Sequence, residues 1–257
     1  MSLVVESAGG VATLTLDRPE VHNAFDETLI ARLADAFTAA AGDAGVRAVV
    51  LRANGKSFSA GADLNWMKRM AAFSEAENLD DARRLAELLR VIDTCPKPVI
   101  ARVQGNAFAG AIGLIACCDL AVAVAEAEFA VTEVRLGLIP AVISPYLIRA
   151  MGARQARRWF LTAERFTAEQ AQAMNLVHEV VAAEDLDACV DHWLDAVRKA
   201  GPEALTAAKR LVAAVDAAPS TAIIDETAQR IAAIRASAEG KEGVASFLEK
   251  RKPNWAR

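Results

Sequence analysis

The chain has no surplus of positive charge: 29 Lys and Arg stand against 33 Asp and Glu over 257 residues, a formal net charge of −4. A nucleic-acid backbone is held by a strong basic field. The basic clusters, such as Arg154/Arg157/Arg158 and Lys250/Arg251/Lys252, are short and mixed with acids. RNA or DNA therefore lacks a patch to bind. The four cysteines, Cys95, Cys117, Cys118 and Cys189, form neither a CxxC pair nor a metal spacing. Cys117 and Cys118 lie in an apolar helical run, where free cysteine behaves as a small hydrophobe, which predicts a reducing cytoplasm. His22, His178 and His192 are too scattered to suggest a metal site, so each reads as a solvated or packed imidazole. No basic region or apolar signal core precedes the strand pattern at Leu3–Val5. The apolar run Ile112–Val124 is broken by Asp119 and is no membrane span. There is no G-x-S-x-G elbow and no phosphate loop. Together these absences predict a soluble cytoplasmic protein that uses neither a metal nor a serine nucleophile.

What is present is an apolar majority, 54% of residues, with 24% charged, enough to bury a substantial core. Strand patterns are predicted over residues 11–16, 46–51, 99–103, 120–124, 128–131 and 176–181. Helical ones alternate with them. Asp26 is placed to cap a helix whose Leu29, Ile30, Leu33, Phe37 and Ala40 share one face. Ser74 with Glu77, and Thr167 with Gln170, have capping-box spacing. Residues 146–151 and 153–163 read as two helices. Beyond Leu186 strand character stops, and helices are predicted over 186–200, 202–214, 220–236 and 242–250. The expected organisation is an α/β core over residues 1–185 and a helical region over 186–257.

Two stretches of small residues run directly into helix-forming sequence: KSFSAGADL (Lys56–Leu64) and GNAFAGAIG (Gly105–Gly113). The first turn of a helix carries N–H donors with no partner inside the helix. If the Ala60 and Gly110 N–H groups converge, they form an oxyanion hole for a polarised carbonyl. The alternative, for either loop alone, is that the glycines only let a helix pack closely. Proton chemistry beside an enolate needs an acid or base in reach. Glu133 is the candidate, in an apolar stretch before Gly137 and Pro140, against the ordinary fate of a solvated loop glutamate. Asp17, Asp63 and Asp119 read as structural, capping a helix or a turn.

KSFSAGADL together with VQGNAFAGAIGLIACCDLAVA resembles the pair of signatures of the enoyl-CoA hydratase/isomerase (crotonase) family. The resemblance runs from Leu3 to the tail FLEKRKPNW at Phe247–Trp255. It implies a crotonase-like spiral of repeated ββα units, with terminal helices that build trimers, often stacked as hexamers. It also implies that Ala60 and Gly110 hold an acyl-CoA thioester oxygen, and that Ala60, Gly61, Ala62, Asp63 and Leu64 line the coenzyme A site. Phe247 and Lys250 resemble tail positions that reach coenzyme A, against a plain basic helix end. Coenzyme A belongs to the substrate, so no separate cofactor is implied. Glu133 matches the second of two glutamates found in the best-known hydratases. The first falls on Gly113, which has no side chain. FSAGADLNWM with TEVRLGLIPAVISPY further resembles a bacterial branch. That branch hydrates 3-methylglutaconyl-CoA in leucine breakdown or isohexenylglutaconyl-CoA in acyclic terpene breakdown. Such substrates carry a second carboxylate, for which Arg135, Asn106 and Asn65 are candidates. The expectation is therefore a hydratase of a branched glutaconyl-CoA. A double-bond isomerase using the same glutamate, and a non-catalytic or RNA-binding protein on the same fold, are the rivals.

Overall fold

The computed structural model describes residues 2–215 and 221–256. The chain opens with a hairpin, β1 (Leu3–Ala8) and β2 (Val11–Leu16), then passes to α1 (Glu27–Gly42), which Asp26 caps by accepting the Leu29 N–H at 2.9 Å. From there a ββα unit recurs. The first comprises β3 (Ala48–Ala53), β4 (Ser57–Ser59), α2 (Leu64–Met70) and α3 (Glu75–Asp93). The second is β5 (Val99–Val103), β6 (Asn106–Phe108) and α4 (Gly110–Ala116). The third is β7 (Leu120–Val124), β8 (Glu128–Ala130), a short 3-10 turn at Glu133–Leu136 and α5 (Ser144–Thr162). There follow β9 (Phe166–Thr167), α6 (Ala168–Ala173), β10 (Glu179–Val181) and the helices α7 (Leu186–Lys199), α8 (Pro202–Ala214), α9 (Thr221–Ala236) and α10 (Ala238–Leu248).

In each unit the first strand joins one sheet and the second joins another. The large sheet has the order β1-β2-β3-β5-β7-β10, parallel after the β1–β2 hairpin; the small one has the order β4-β6-β8-β9. Parallel strands covered on both faces need continuous apolar runs, and β3, β5 and β7 supply them: Val49, Leu51, Val99, Ile100, Val103 and Val122 are all fully buried. One cluster of buried side chains unites the sheet with α1, α3, α4, α5 and α7, the last through Leu186, Val190, Leu194 and Val197.

Both capping boxes form as predicted, on α3 and α6. α5 is interrupted at Gly152 (φ 77°, ψ 152°), so the two helices expected from sequence are two arms of one element. Other boundaries move. The strand expected over 176–181 is ordered as β10 only from Glu179, with Leu176 and Val177 buried in the turn before it. The last helix begins at Ala238 rather than Glu242, capped by Ser237. Ser220, predicted to begin a helix, lies outside the described residues. Asp119 caps nothing. Its carboxylate accepts the Val99 N–H at 2.8 Å and the Lys209 Nζ at 2.7 Å, tying α8 to the start of β5. Among the described residues no helix is long and apolar enough to cross a membrane.

Candidate active site

The small sheet decides where chemistry gathers. β4, β6 and β8 are parallel neighbours, and adjacent strands lie about 4.8 Å apart. Their C-terminal ends therefore open along one edge. The chain leaves β4 into Ala60–Asp63, β6 into Ala109–Gly110, and β8 into Thr132–Glu133. The two Gly-containing loops and the candidate glutamate, distant in sequence, are side by side for that reason.

Each of the first two loops turns at a residue with positive φ. Gly61 has φ +87°, and a side chain there would meet the Phe108 carbonyl at 2.9 Å and the Ala109 Cβ at 3.2 Å, so the loops touch. Ala109 has φ +50° and ψ −125°, a positive-φ conformation that costs a non-glycine residue about 1–3 kcal/mol. Its N–H is pinned to the Ala130 carbonyl at 2.9 Å. The residue after each kink, Ala62 and Gly110, presents an N–H with no acceptor among the described residues.

This corrects the expected pair by two residues. The Ala60 N–H donates to the His22 carbonyl at 2.9 Å and is already used. Ala62 instead forms an isolated parallel bridge with Phe25: Phe25 N–H donates to Gly61, and Asp63 N–H donates to Phe25. In a parallel bridge the residue between two such bonds turns its own N–H the other way. The side chain of that same Phe25 lies against Gly110, where an added Cβ would come within 2.6 Å of its Cζ. Phe25 thus spans both open donors.

Glu133 begins the 3-10 turn after β8. Its Oε2 is buried with no hydrogen-bond partner among the described residues. Burial pushes its carboxyl above the ordinary glutamate value, and the backbone N–H groups of Glu133 and Thr132 pull it back only in part. A buried, unpaired carboxylate is costly.

Gly113 is not an open position. A Cβ there would overlap the Ile143 Cγ2, lie 2.9 Å from the Ile143 Cβ, and touch Leu89 at 3.7 Å. Where a second glutamate is expected, this chain places the buried side chains of Ile143 and Leu89.

The remaining candidates divide. Gly61 shapes the loop, and Leu64, at the start of α2, is 74% exposed beside it. Asp63 is turned inward: it caps α2 through the Asn65 and Trp66 N–H groups and accepts from Arg18 at 2.9 Å. It is structural, as one reading of the sequence had it, with its carboxylate oxygens engaged by the protein. Asn106 is likewise engaged, accepting the Glu128 N–H at 2.9 Å. Arg135 is exposed, with no acid partner among the described residues. Phe247 and Lys250 lie elsewhere, at the end of α10, whose main packing partners are α9 and α8. Sequence reasoning assigned no role to Arg18, Asn23 or Phe25. Asn23 is fully buried, left-handed (φ 53°), and clamps the Asn54 and Ser57 carbonyls through its Nδ2. Asparagine's tolerance of that conformation was the available signal.

Residues 6–257 match the family described as enoyl-CoA hydratase/isomerase, and the chain belongs to it, with the crotonase fold. Among solved structures, an enoyl-CoA hydratase from Shewanella pealeana superposes with a TM-score of 0.97 at 46% identity, covering 99% of this chain and 96% of that one. The chain is 33% identical to the 2,3-dehydroadipyl-CoA hydratase of Escherichia coli strain K12 over 257 residues, covering 98% of each. It is 32% identical to the crotonyl-CoA hydratase of Syntrophomonas wolfei over 268 residues, covering 99% of this chain and 97% of that one.

Proposed function

We propose that the protein adds water across the 2,3-double bond of an enoyl-CoA. The observation that carries this is the edge itself: two unpaired N–H groups, Ala62 and Gly110, beside the unpaired Glu133 Oε2. The thioester oxygen accepts both N–H groups. As the water oxygen bonds to the β-carbon, electron density moves through the α-carbon and the carbonyl to that oxygen, where the two donors stabilise it. Glu133 takes the water's proton. The α-carbon then receives a proton, from Glu133 or through water, and the 3-hydroxyacyl-CoA is complete. Glu133 must be ionised to begin. Because burial raises its pKa, kcat/KM should fall with acidification at a pH above that of an ordinary glutamate. A pH–rate profile checks this, and the acid limb should vanish from the residual activity of Glu133→Gln.

The substrate we favour carries a second carboxylate, as in 3-methylglutaconyl-CoA or isohexenylglutaconyl-CoA. Arg135 supports this, since it is an exposed cation two residues from Glu133 with no acid partner among the described residues, while Asn106 is engaged elsewhere. The similarity to a hydratase of 2,3-dehydroadipyl-CoA, itself the thioester of a dicarboxylic acid, points the same way. A second reading, double-bond isomerisation, is favoured by the apolar Gly113–Ile143 contact, because one base is enough to move a proton between two carbons. A panel separates these readings. With 3-methylglutaconyl-CoA, isohexenylglutaconyl-CoA, crotonyl-CoA and a 3-enoyl-CoA, we expect hydroxyacyl product and the highest kcat/KM on a carboxylated chain. Preference for crotonyl-CoA would overturn the substrate class, and a shifted double bond without hydration would overturn the reaction. The exposed Val212, Ile231, Val244, Phe247 and Leu248 on α8–α10 fit a trimer or a dimer of trimers, in which Phe247 and Lys250 would reach a neighbouring coenzyme A site.

A further inference from the structure

Arg18 lies under the first loop and touches none of the open groups of the site. Its NH2 donates to Asp63 Oδ2 at 2.9 Å, and its NH1 donates to Asp26 Oδ2 at 3.1 Å and to the Ala24 carbonyl at 2.9 Å. Its backbone N–H donates to Asn23 Oδ1 at 2.8 Å. The two carboxylates it joins are the N-caps of α1 and α2. Between those caps lie the two halves of the bridge that aims Ala62: Phe25 immediately precedes Asp26, and Ala62 immediately precedes Asp63. The guanidinium side chain is only 20% exposed and that of Asp63 9%, so the pair is weakly screened. Burial alone would raise the Asp63 carboxyl; the Trp66 and Asn65 N–H groups and Arg18 outweigh it and hold the carboxyl below its usual value.

From this arrangement we infer that Arg18 is a positioning residue of the oxyanion hole, fixing the Phe25–Ala62 bridge, and through Phe25 the approach to Gly110, by clamping Asp26 and Asp63. The planar fork of arginine reaches two carboxylates at once, which a single ammonium does not. A misaimed donor weakens binding of the charged transition state more than that of the neutral ester. This inference rests on the reading of Ala62 and Gly110 as the hole.

Arg18→Met should lower kcat about 10- to 100-fold, a fraction of the 10²–10³ that loss of a whole donor costs, with KM changed less than about threefold. Arg18→Lys should recover part of the loss, and added guanidinium should partly rescue Arg18→Ala. The decisive reading is spectroscopic. In a Glu133→Gln background, crotonyl-CoA labelled with ¹³C at the carbonyl should show a lowered C=O stretch on binding, and Arg18→Met should shrink that lowering. Arg32→Met is the control: Arg32 is bonded to Ser2 and Leu3, away from the loops, and its loss should leave kcat and the stretch unchanged. If Arg18→Met does not fold, Asp63→Asn, which keeps the cap acceptor but weakens the charge pair, should give a smaller loss of the same kind. Full kcat and an undiminished shift in either variant would overturn the inference while leaving the hole in place. No shift even with Arg18 intact would instead overturn the reading of the hole itself.

Discussion

Glu133→Gln should lower kcat by about 10²–10⁴, the usual contribution of a positioned acid or base, with the affinity for an enoyl-CoA ester nearly unchanged. Glutamine has the shape of glutamate and leaves the thioester contacts alone, but it cannot take a proton from water. The same change should raise the melting temperature. The folded state holds this carboxyl with a raised pKa, so it binds the proton more tightly than the unfolded chain does. That contribution favours folding below the ordinary glutamate value and is lost as pH rises through the raised one. Once pH has risen through that raised value, the wild type carries a buried charge that glutamine removes. Turnover by a substrate assay and melting by calorimetry at pH 5 and pH 8 test both halves. A variant that turns over at the wild-type rate would sink the proposed chemistry.

Gly110→Ala comes second, with an expected loss of about 10²–10³ in kcat. The backbone at Gly110 is not left-handed, so the damage comes from space alone. The new methyl would sit 2.6 Å from Phe25 Cζ and 3.2 Å from its Cε2. Phe25 cannot retreat easily: it is 2% exposed and lies against Trp66, with ring centroids 6.4 Å apart. Either the start of α4 or the Phe25–Ala62 bridge must shift, and each carries one of the two donors. Gly42→Ala is the matched control, since a side chain there meets nothing within 4 Å and alanine suits a helix better than glycine. It should keep full activity. An equal loss in the two variants would mean that Gly110 matters only for folding.

Much of this fold was legible in the residues. Caps announce themselves locally, and Asp26, Ser74 and Thr167 all cap the helices their spacing marks. Long apolar strands do likewise. The small sheet was not legible, because β4, β6 and β9 have three, three and two residues, too few for any periodicity, and they exist only by pairing within that sheet. The site shared that fate in part. Glu133 and Gly110 could be named from their loops, but which N–H of SAGAD stays open depends on acceptors supplied by His22 and Phe25, far away in sequence. Asp63 could be marked as a cap, yet nothing local tied it to Arg18.

The contact between Gly113 and Ile143 bears on how this chain can change. A glutamate at 113 has no room until Ile143 becomes smaller, and a smaller residue at 143, alone, opens a cavity in a buried wall, at about 24 cal/mol per Å³ of void. Each single step is unfavourable, and only the two together would give a second carboxylate a place. In this chain a second carboxylate at position 113 therefore needs a change at Ile143 as well as at Gly113. Packing at Ile143, before any chemistry, limits what position 113 can hold.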